Sequence, residues 1–225
     1  KLSSLEASHP LRLNAVPQED VNKYTFSPAT SNTIENLNTF FRRVAPLYPD
    51  SPALEVAYYS STNFDPASLS ELKKIAPQLV RLQLNRMPLA GVDLNVLQDF
   101  QNLEELRLNF TDFDSEQLAI LAGIPSLKKL ALSGNSLSEA DLSQLTRLSS
   151  LKELYLWQPG WEKSQKGKLQ DLLPNTVIDF GFDPGEVTYA LNAPEIMVDS
   201  AIFSSSAQVI LKHPVQGTEI RYTLD

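Results

Sequence analysis

The segments Leu103-Glu104-Glu105-Leu106-Arg107-Leu108 and Leu127-Lys128-Lys129-Leu130-Ala131-Leu132 share the phrase L-x-x-L-x-L. The same phrase opens at Leu79 and at Leu151, so its four copies are equally spaced along the chain, and a looser copy begins at Leu54. A short apolar phrase that returns at a fixed period predicts structural units stacked side by side, with an apolar core shared from one unit to the next.

The rest of each unit carries a second pattern. Counted from the first leucine, apolar residues recur at positions 1, 4, 6 and 11 and then at 16, 19 and 22. In the unit that begins at Leu151, positions 19 and 22 are Leu169 and Leu172, which predicts both on the core side of the final helix. Alternation at 4 and 6 predicts a half-buried strand, and spacing by three predicts a helix. Position 9 holds asparagine only at Asn135, so we expect no continuous asparagine ladder.

Residues 54–175 resemble leucine-rich repeats on these phrases. The resemblance implies an α/β solenoid, with a parallel sheet on the concave side and helices on the convex side. We assign residues 1–183 to this solenoid with capping ends. At the N-terminal end we predict a first strand at Leu11-Arg12-Leu13 and a helix that carries Ile34, Leu37, Phe40, Phe41 and Val44.

Residues 184–225 follow a different pattern, predicted as four short strands: Val187–Leu191, Glu195–Val198, Gln208–Leu211 and Glu219–Leu224. The tail from Phe203, with Gly217-Thr218-Glu219-Ile220-Arg221-Tyr222-Thr223-Leu224-Asp225, resembles the chitobiase/β-hexosaminidase C-terminal domain, an immunoglobulin-like sandwich. The resemblance covers the first half of that domain, so we expect a partial all-β module here.

The order of the two parts, together with Leu11-Arg12-Leu13-Asn14-Ala15-Val16, is similar to the tails of bacterial membrane proteins that carry a c-type cytochrome domain. This resemblance implies an exported segment, in the periplasm or on the cell surface, of a parent protein that is anchored in a membrane. The sequence has no C-x-x-C-H, so any haem lies outside it. Because the sequence begins at Lys1, we expect a processed chain or a piece of a longer one.

Composition narrows the function classes. Forty-two per cent of the 225 residues are hydrophobic, which is enough for a core, and no apolar run approaches the roughly 20 residues that cross a bilayer. The net charge of −8 repels nucleic acid, so none is expected as a partner. The absence of cysteine removes disulfides and thiolate chemistry.

Candidate catalytic and metal residues are sparse. The only histidines, His9 and His213, fall in different predicted parts, and no phosphate-binding, dinucleotide-binding or nucleophile-elbow motif occurs. The acidic cluster Asp112, Asp114 and Glu116 is compatible with calcium, but it lacks the glycine and the distal glutamate of an EF-hand loop. We favour the simpler account, in which Asp114 caps a helix and Glu116 lies in its first turn. We predict no catalysis, no cofactor and no metal.

The outward positions of the strands, 3, 5, 7 and 8, define a candidate binding face. From it we select Tyr58, Arg81, Gln83, Arg107, Asn109, Tyr155 and Trp157 as binding residues. Arg81, Arg86, Arg107 and Lys129 stand against Glu105 and Glu153, which predicts a mildly basic face of net charge +2. Arginine and the large aromatics dominate binding hot spots. The alternative is that these charges pair across neighbouring strands and stabilise the sheet.

Two function classes follow. The first is a protein–protein interaction scaffold that binds a protein partner through the concave face. The second is a carbohydrate-binding accessory region of a larger extracytoplasmic protein, because Tyr155, Trp157 and the hexosaminidase-like tail favour sugar rings.

Overall fold

The computed structural model describes residues 23–113, 115–135, 137, 141, 144–157, 163–181, 192–198, 208–215 and 217–221. The chain divides into two compact units, Lys1–Phe182 and Asp183–Asp225.

The first unit contains a sheet to which the described residues contribute seven strands in chain order. They are β1 (Arg42–Pro46), β2 (Leu54–Tyr58), β3 (Leu79–Gln83), β4 (Glu105–Arg107), β5 (Lys129–Ala131), β6 (Glu153–Tyr155) and β7 (Val177–Asp179). β1 runs antiparallel to β2, and every later neighbour is parallel. This α/β arrangement is consistent with a leucine-rich-repeat-like fold.

Helical segments connect the strands. They are α1 (Ser31–Leu37), a 3-10 helix at Pro66–Ile75, a second 3-10 helix at Asn95–Asp99, α2 (Ser115–Leu121) and α3 (Lys163–Leu172). In the first 3-10 helix Leu69, Leu72 and Ile75 are all buried, because residues three apart share one side of a helix with three residues per turn.

The predicted core position of Leu172 is wrong. Its side chain is exposed, and Leu173 is buried in its place. The amide of Leu173 donates to the carbonyl of Leu169 at 3.0 Å, which is the four-residue step of an α-helix. Four residues complete a turn here where the sequence pattern assumed three, so the core side of α3 passes from Leu169 to Leu173.

The core follows the period of the sequence. Leu82, Leu106, Leu130 and Leu154 lie in register on β3, β4, β5 and β6, and all four are fully buried. The prediction that these leucines lie side by side on parallel strands is confirmed. Leu106 and Leu130 therefore each pack between equivalent leucines of two neighbouring units, whereas Leu82 and Leu154 have Val56 and Ile178 on their outer sides.

The first strand of the repeat departs from the predicted frame. Val56 pairs with Leu82, whereas the frame of the repeated phrase aligns Val56 with Arg81. Side chains alternate across a strand, so a one-residue shift exchanges the two faces. Val56 and Tyr58, predicted to point outward, are buried, and Glu55 occupies an outward place beside Arg81.

The N-terminal end is held by a buried arginine. Arg42 donates to the carbonyl of Leu37 at 2.7 Å and to the carboxylate of Glu71 at 2.6 Å, and its guanidinium lies 3.4 Å from the Tyr58 hydroxyl. The predicted helix is too long, because α1 ends at Leu37 and Val44 lies in β1. Asn38 ends the helix by donating to the carbonyls of both residues 34 and 44. The strand predicted at residues 11–13 lies outside the described residues.

In the second unit β8 (Glu195–Val198) and β9 (Val209–Lys212) form an antiparallel pair. The strand predicted at residues 187–191 is outside the described residues, and residues 219–221 of the last predicted strand are not in a strand. The immunoglobulin-like module stays a prediction. Over the described residues, no helix combines the length and the apolar character needed to cross a membrane.

Candidate binding face of the parallel sheet

The exposed face of the parallel strands contains a depression of about 460 Å³. Its lining is Arg81, Glu105, Leu106, Arg107, Asn109, Phe110, Lys129, Leu130, Ala131, Ser133, Tyr155 and Trp157. Five of the seven predicted residues are therefore brought together: Arg81, Arg107, Asn109, Tyr155 and Trp157. Gln83 lies on the same face, half-buried, outside this lining.

Tyr58 is not on this face, and its selection as an outward residue is wrong. Only 8% of it is exposed, because the shifted frame of β2 turns it inward. Its ring packs edge-on against Phe64, and its hydroxyl lies 3.1 Å from that of Ser68. Tyr58 therefore supports the N-terminal end of the core.

A four-residue charge network crosses one end of the depression. Arg81 bridges Glu55 at 2.9 Å and Glu105 at 2.7 Å, and Arg107 donates to the second oxygen of Glu105. Burial acts to lower the pKa of Arg81, but the hydrogen bond to Glu55 and the charge of Glu105 outweigh it and raise that pKa. The alternative interpretation, that these charges pair across neighbouring strands, describes the two contacts of Arg81, whereas Arg107 and Glu105 pair within β4.

A second network lies on β5 and β6. Lys129 contacts Glu153 at 3.0 Å, and the Tyr155 hydroxyl donates to the other oxygen of Glu153 at 2.8 Å. Burial would raise the pKa of Glu153, but the hydrogen bonds from Lys129 and Tyr155 lower it. The hydrogen bond to Glu153 in turn raises the pKa of the Tyr155 phenol. The Tyr155 ring is thus held in one orientation beside a carboxylate.

The predicted net charge of +2 is wrong for this face. The shifted β2 adds Glu55, and β7 adds Asp179, which is in register with Tyr155. Among the described residues of this face, from β2 to β7, four cations now balance four carboxylates: Arg81, Arg86, Arg107 and Lys129 against Glu55, Glu105, Glu153 and Asp179. The charges are also unevenly distributed, with two arginines in the unit of β3 and a carboxylate on each of β6 and β7.

Phe110 is an exposed aromatic ring on a strained backbone. Its φ is 56°, a left-handed conformation that bulky residues rarely adopt, and 57% of the residue is exposed. The guanidinium of Arg86 lies 5.9 Å from the centre of its ring. The ring lies directly against Gly134, where a Cβ would stand 2.1 Å from Phe110 Cδ1. Gly134 is therefore the platform on which the ring rests.

Trp157 is fixed at the other end of the depression, and 55% of it is exposed. Its indole Nε1 donates to Asp179 Oδ1 at 3.1 Å, and its amide donates to the Ser133 hydroxyl at 3.0 Å. The ring packs against Gly181, where a Cβ would lie 2.8 Å from Trp157 Cγ. These three contacts hold a large apolar surface open to solvent.

Asn109 has a structural role in addition to its place in the lining. Its Oδ1 accepts the amide of Ser133 at 2.8 Å, and its own amide donates to Asn85 Oδ1 at 3.0 Å. In the next unit, the Ser133 hydroxyl accepts the backbone amide of Trp157 in the same way. Polar side chains at position 7 thus join four successive units along the exposed face, next to the aromatic rings.

We predict that Gly134→Ala lowers the stability and displaces the Phe110 ring. The backbone φ of 73° costs an L-residue about 1–2 kcal/mol, and the added Cβ also overlaps the ring. Gly91→Ala is the matched control, because Gly91 has a φ of 68° but an added Cβ meets nothing within 4 Å. Urea denaturation should show a larger loss of unfolding free energy for Gly134→Ala than for Gly91→Ala. When Phe110→Ala is combined with Gly134→Ala, the loss due to Gly134→Ala should fall to that of Gly91→Ala, because the ring is no longer there to overlap the Cβ. Equal losses for the two glycines would contradict the contact.

The sequence pattern placed Phe110 and Gly134 on the face without selecting either as a binding residue, and it did not place Asp179 or Gly181 there. A signal for them exists in the repeat. Gly134 stands one full repeat after Phe110, and Gly181 stands one full repeat after Trp157. A glycine one repeat after an aromatic residue marks a ring that lies across the neighbouring unit.

In the described part of the chain, no group of three or more acidic or histidine side chains is placed to hold a metal ion. Of the predicted acidic cluster, Asp112 and Glu116 are exposed, and Asp114 lies outside the described residues. His213 lies in the second unit, where its ring is 3.1 Å from the carbonyl of Asn192. His9 lies outside the described residues.

Comparison with known proteins adds little. No family model matches the chain, and no curated protein sequence matches it. Among solved structures, the chain is similar to an internalin from Listeria monocytogenes, with 18% identity and a TM-score of 0.29. The match covers 45% of this chain and 35% of the internalin, so it spans about a third of that protein. A likeness of this size carries no argument about function.

Proposed function

We propose that this chain is a non-catalytic protein-interaction domain, and that its protein partner binds the exposed face of the parallel sheet. In this proposal the sheet is the concave side of a leucine-rich repeat solenoid. The observation that carries it is the aromatic group Phe110, Tyr155 and Trp157, which is exposed along one depression. Phe110 and Trp157 pack against neighbouring units, and Tyr155 is held by its hydrogen bond to Glu153 on the same strand. Exposed rings that are already immobilised bind at little further cost in conformational entropy.

The charges of the face support binding more than they support chemistry. Arg81, Glu105 and Arg107 already satisfy one another, and so do Lys129 and Glu153. A paired, half-buried network of this kind orients a partner and rejects unsuitable ones, while the aromatic side chains supply apolar contact.

The test is a double substitution, Tyr155→Ala with Trp157→Ala. Hot-spot aromatics contribute about 2 kcal/mol or more to binding, so the affinity for the partner should fall at least about 30-fold. Proteins retained from extracts of the source cells by the immobilised wild-type chain are quantified against both variants, and the dissociation constant of each purified candidate is then measured.

The matched control is Phe40→Ala with Phe41→Ala, which removes two exposed rings that do not line the depression. Under the proposal, a partner is lost with the first pair and kept with the control pair. Retention of every captured protein by the Tyr155 and Trp157 variant would overturn it.

A carbohydrate ligand is the second candidate, and the exposed Trp157 ring is the observation that favours it, since flat aromatic surfaces bind the apolar faces of sugars. A glycan array incubated with the wild-type chain separates the two candidates. Binding to a glycan that Trp157→Ala abolishes supports the sugar. An array without such a signal, combined with partner loss in the double variant, supports the protein.

We further propose that the chain acts outside the cytoplasm and that β8 and β9 belong to an immunoglobulin-like module. The first proposal is supported by the similarity of the order of the two parts to the tails of bacterial membrane proteins that carry a c-type cytochrome domain. The second is supported by the resemblance of the tail to the chitobiase/β-hexosaminidase C-terminal domain. Fractionation of source cells with an antibody against the chain tests the first. A cytoplasmic signal would overturn it.

A further inference from the structure

The two ends of the depression differ in charge. Around Trp157 and Tyr155 the described side chains of the face are two carboxylates, Glu153 and Asp179, and one cation, Lys129. Lys129 is engaged by Glu153. The arginines Arg81, Arg86 and Arg107 all lie in the units of β3 and β4. The aromatic end is therefore electronegative relative to the rest of the face.

The exposed ring of Trp157 has no cation from the described part of the chain over it. Arg86 lies over Phe110, as a guanidinium does over an electron-rich ring. Within the described part of the chain no cation lies over Trp157, although tryptophan binds cations best among the aromatic side chains. Asp179 Oδ1 accepts from both the indole Nε1 and the amide of Gly181. Its charge is therefore held at the edge of the exposed indole.

We propose that the partner presents a basic segment, and that one of its arginine or lysine side chains lies over Trp157 beside the carboxylate of Asp179. This inference rests on the proposed function and adds the chemistry of the partner. The net charge of −8 on the whole chain also attracts a basic partner and raises the rate of association at low salt. Tyr155 offers a second ring beside the same carboxylate, Glu153.

The test uses synthetic peptides with the intact chain. The probe is a nonapeptide of alternating glycine and arginine, and the controls are the same peptide with citrulline or with glutamate in place of arginine. Citrulline keeps the shape of arginine and removes its charge. The readout is the NMR signal of the Trp157 indole Nε1–H, assigned by its loss in Trp157→Phe.

The arginine peptide should shift this signal saturably, and both control peptides should leave it in place. Asp179→Asn should weaken binding of the arginine peptide about tenfold, because it removes the charge that faces the cation. The substitution keeps an oxygen that can accept from Trp157 and Gly181, and the shift that the peptide causes is measured from the peptide-free indole signal of each variant. Asp99→Asn is the matched control, because Asp99 lies in the second 3-10 helix, is paired with Lys73 and has no described contact with Trp157.

Equal binding of the citrulline peptide, or no effect of Asp179→Asn, would overturn the inference. Such a result leaves the proposed function intact if partner capture still depends on Tyr155 and Trp157. If the arginine peptide binds but the variant with Tyr155→Ala and Trp157→Ala still captures every protein that the wild-type chain captures, the proposed function is overturned instead.

Discussion

Leu106→Ala should lower the free energy of unfolding by about 3–5 kcal/mol, the range expected when a buried leucine is truncated in a core that relaxes little. Leu106 is fully buried and lies in register between Leu82 and Leu130. The cavity left by its side chain would be walled by leucines of three units, which are held in place by the hydrogen bonds of the sheet. Urea denaturation monitored by circular dichroism measures the loss.

Leu172→Ala is the control for this experiment, because it makes the same substitution on the exposed side of α3. A surface substitution of this kind changes stability by less than about 1 kcal/mol. Similar losses at the two positions would mean that Leu106 does not occupy the shared core of the repeats. A change in the slope of the unfolding curve for Leu106→Ala would indicate that the repeats no longer unfold together.

Asn135→Leu should lower the free energy of unfolding by about 2–5 kcal/mol, because each buried polar group left without a partner costs about 1–3 kcal/mol. Asn135 Oδ1 accepts the amide of Thr111 at 3.0 Å and that of Phe113 at 3.3 Å. Its Nδ2 donates to the carbonyls of Leu108 and Leu132 at 2.7 and 2.9 Å. Leucine fills a similar volume, so the expected loss comes from unsatisfied backbone groups.

Asn63→Leu controls for the residue type, because Asn63 is exposed and donates only to the Ser60 hydroxyl among the hydrogen bonds described. We expect it to change the melting temperature little. A loss of stability at position 135 no greater than that at position 63 would show that the asparagine does not fix the turn between units.

The sequence period predicted the architecture because equal spacing puts equivalent residues at equivalent places. For the units from Leu79 to Leu151 the pairing of strands agrees with the spacing of the repeated phrase. The pattern failed at β2, which pairs with β3 one residue away from the register that the phrase predicts. Without a strict copy of the phrase on that strand, the sequence offers no marker for which of two adjacent residues, Ala57 or Tyr58, faces outward.

The binding face was predictable in its position but not in its electrostatics. Alternation along a strand locates Tyr155 and Arg107 on the exposed side. The net charge of the face depends on which carboxylates lie on that side. Both Glu55 and Asp179 lie on strands without a strict copy of the phrase. Contacts such as Trp157 to Asp179 also depend on how far a side chain reaches across two strands, which a linear pattern does not encode.

The central claim is that equivalent residues of successive repeats lie side by side on one exposed face. The chain has no cysteine, so a disulfide between two introduced cysteines tests it directly. Gln83 is in register with Arg107 on the neighbouring parallel strand, and strands lie about 4.8 Å apart, within the range of about 4.4–6.8 Å that a disulfide spans. Ala131 lies one strand further, at about 9.6 Å from Gln83, beyond that range.

Under mild oxidation, the variant with Gln83→Cys and Arg107→Cys should form an intramolecular disulfide in most molecules, seen by mass spectrometry of the folded chain. The variant with Gln83→Cys and Ala131→Cys should stay reduced. A bridge in the second variant, or none in the first, would contradict the register on which the face depends.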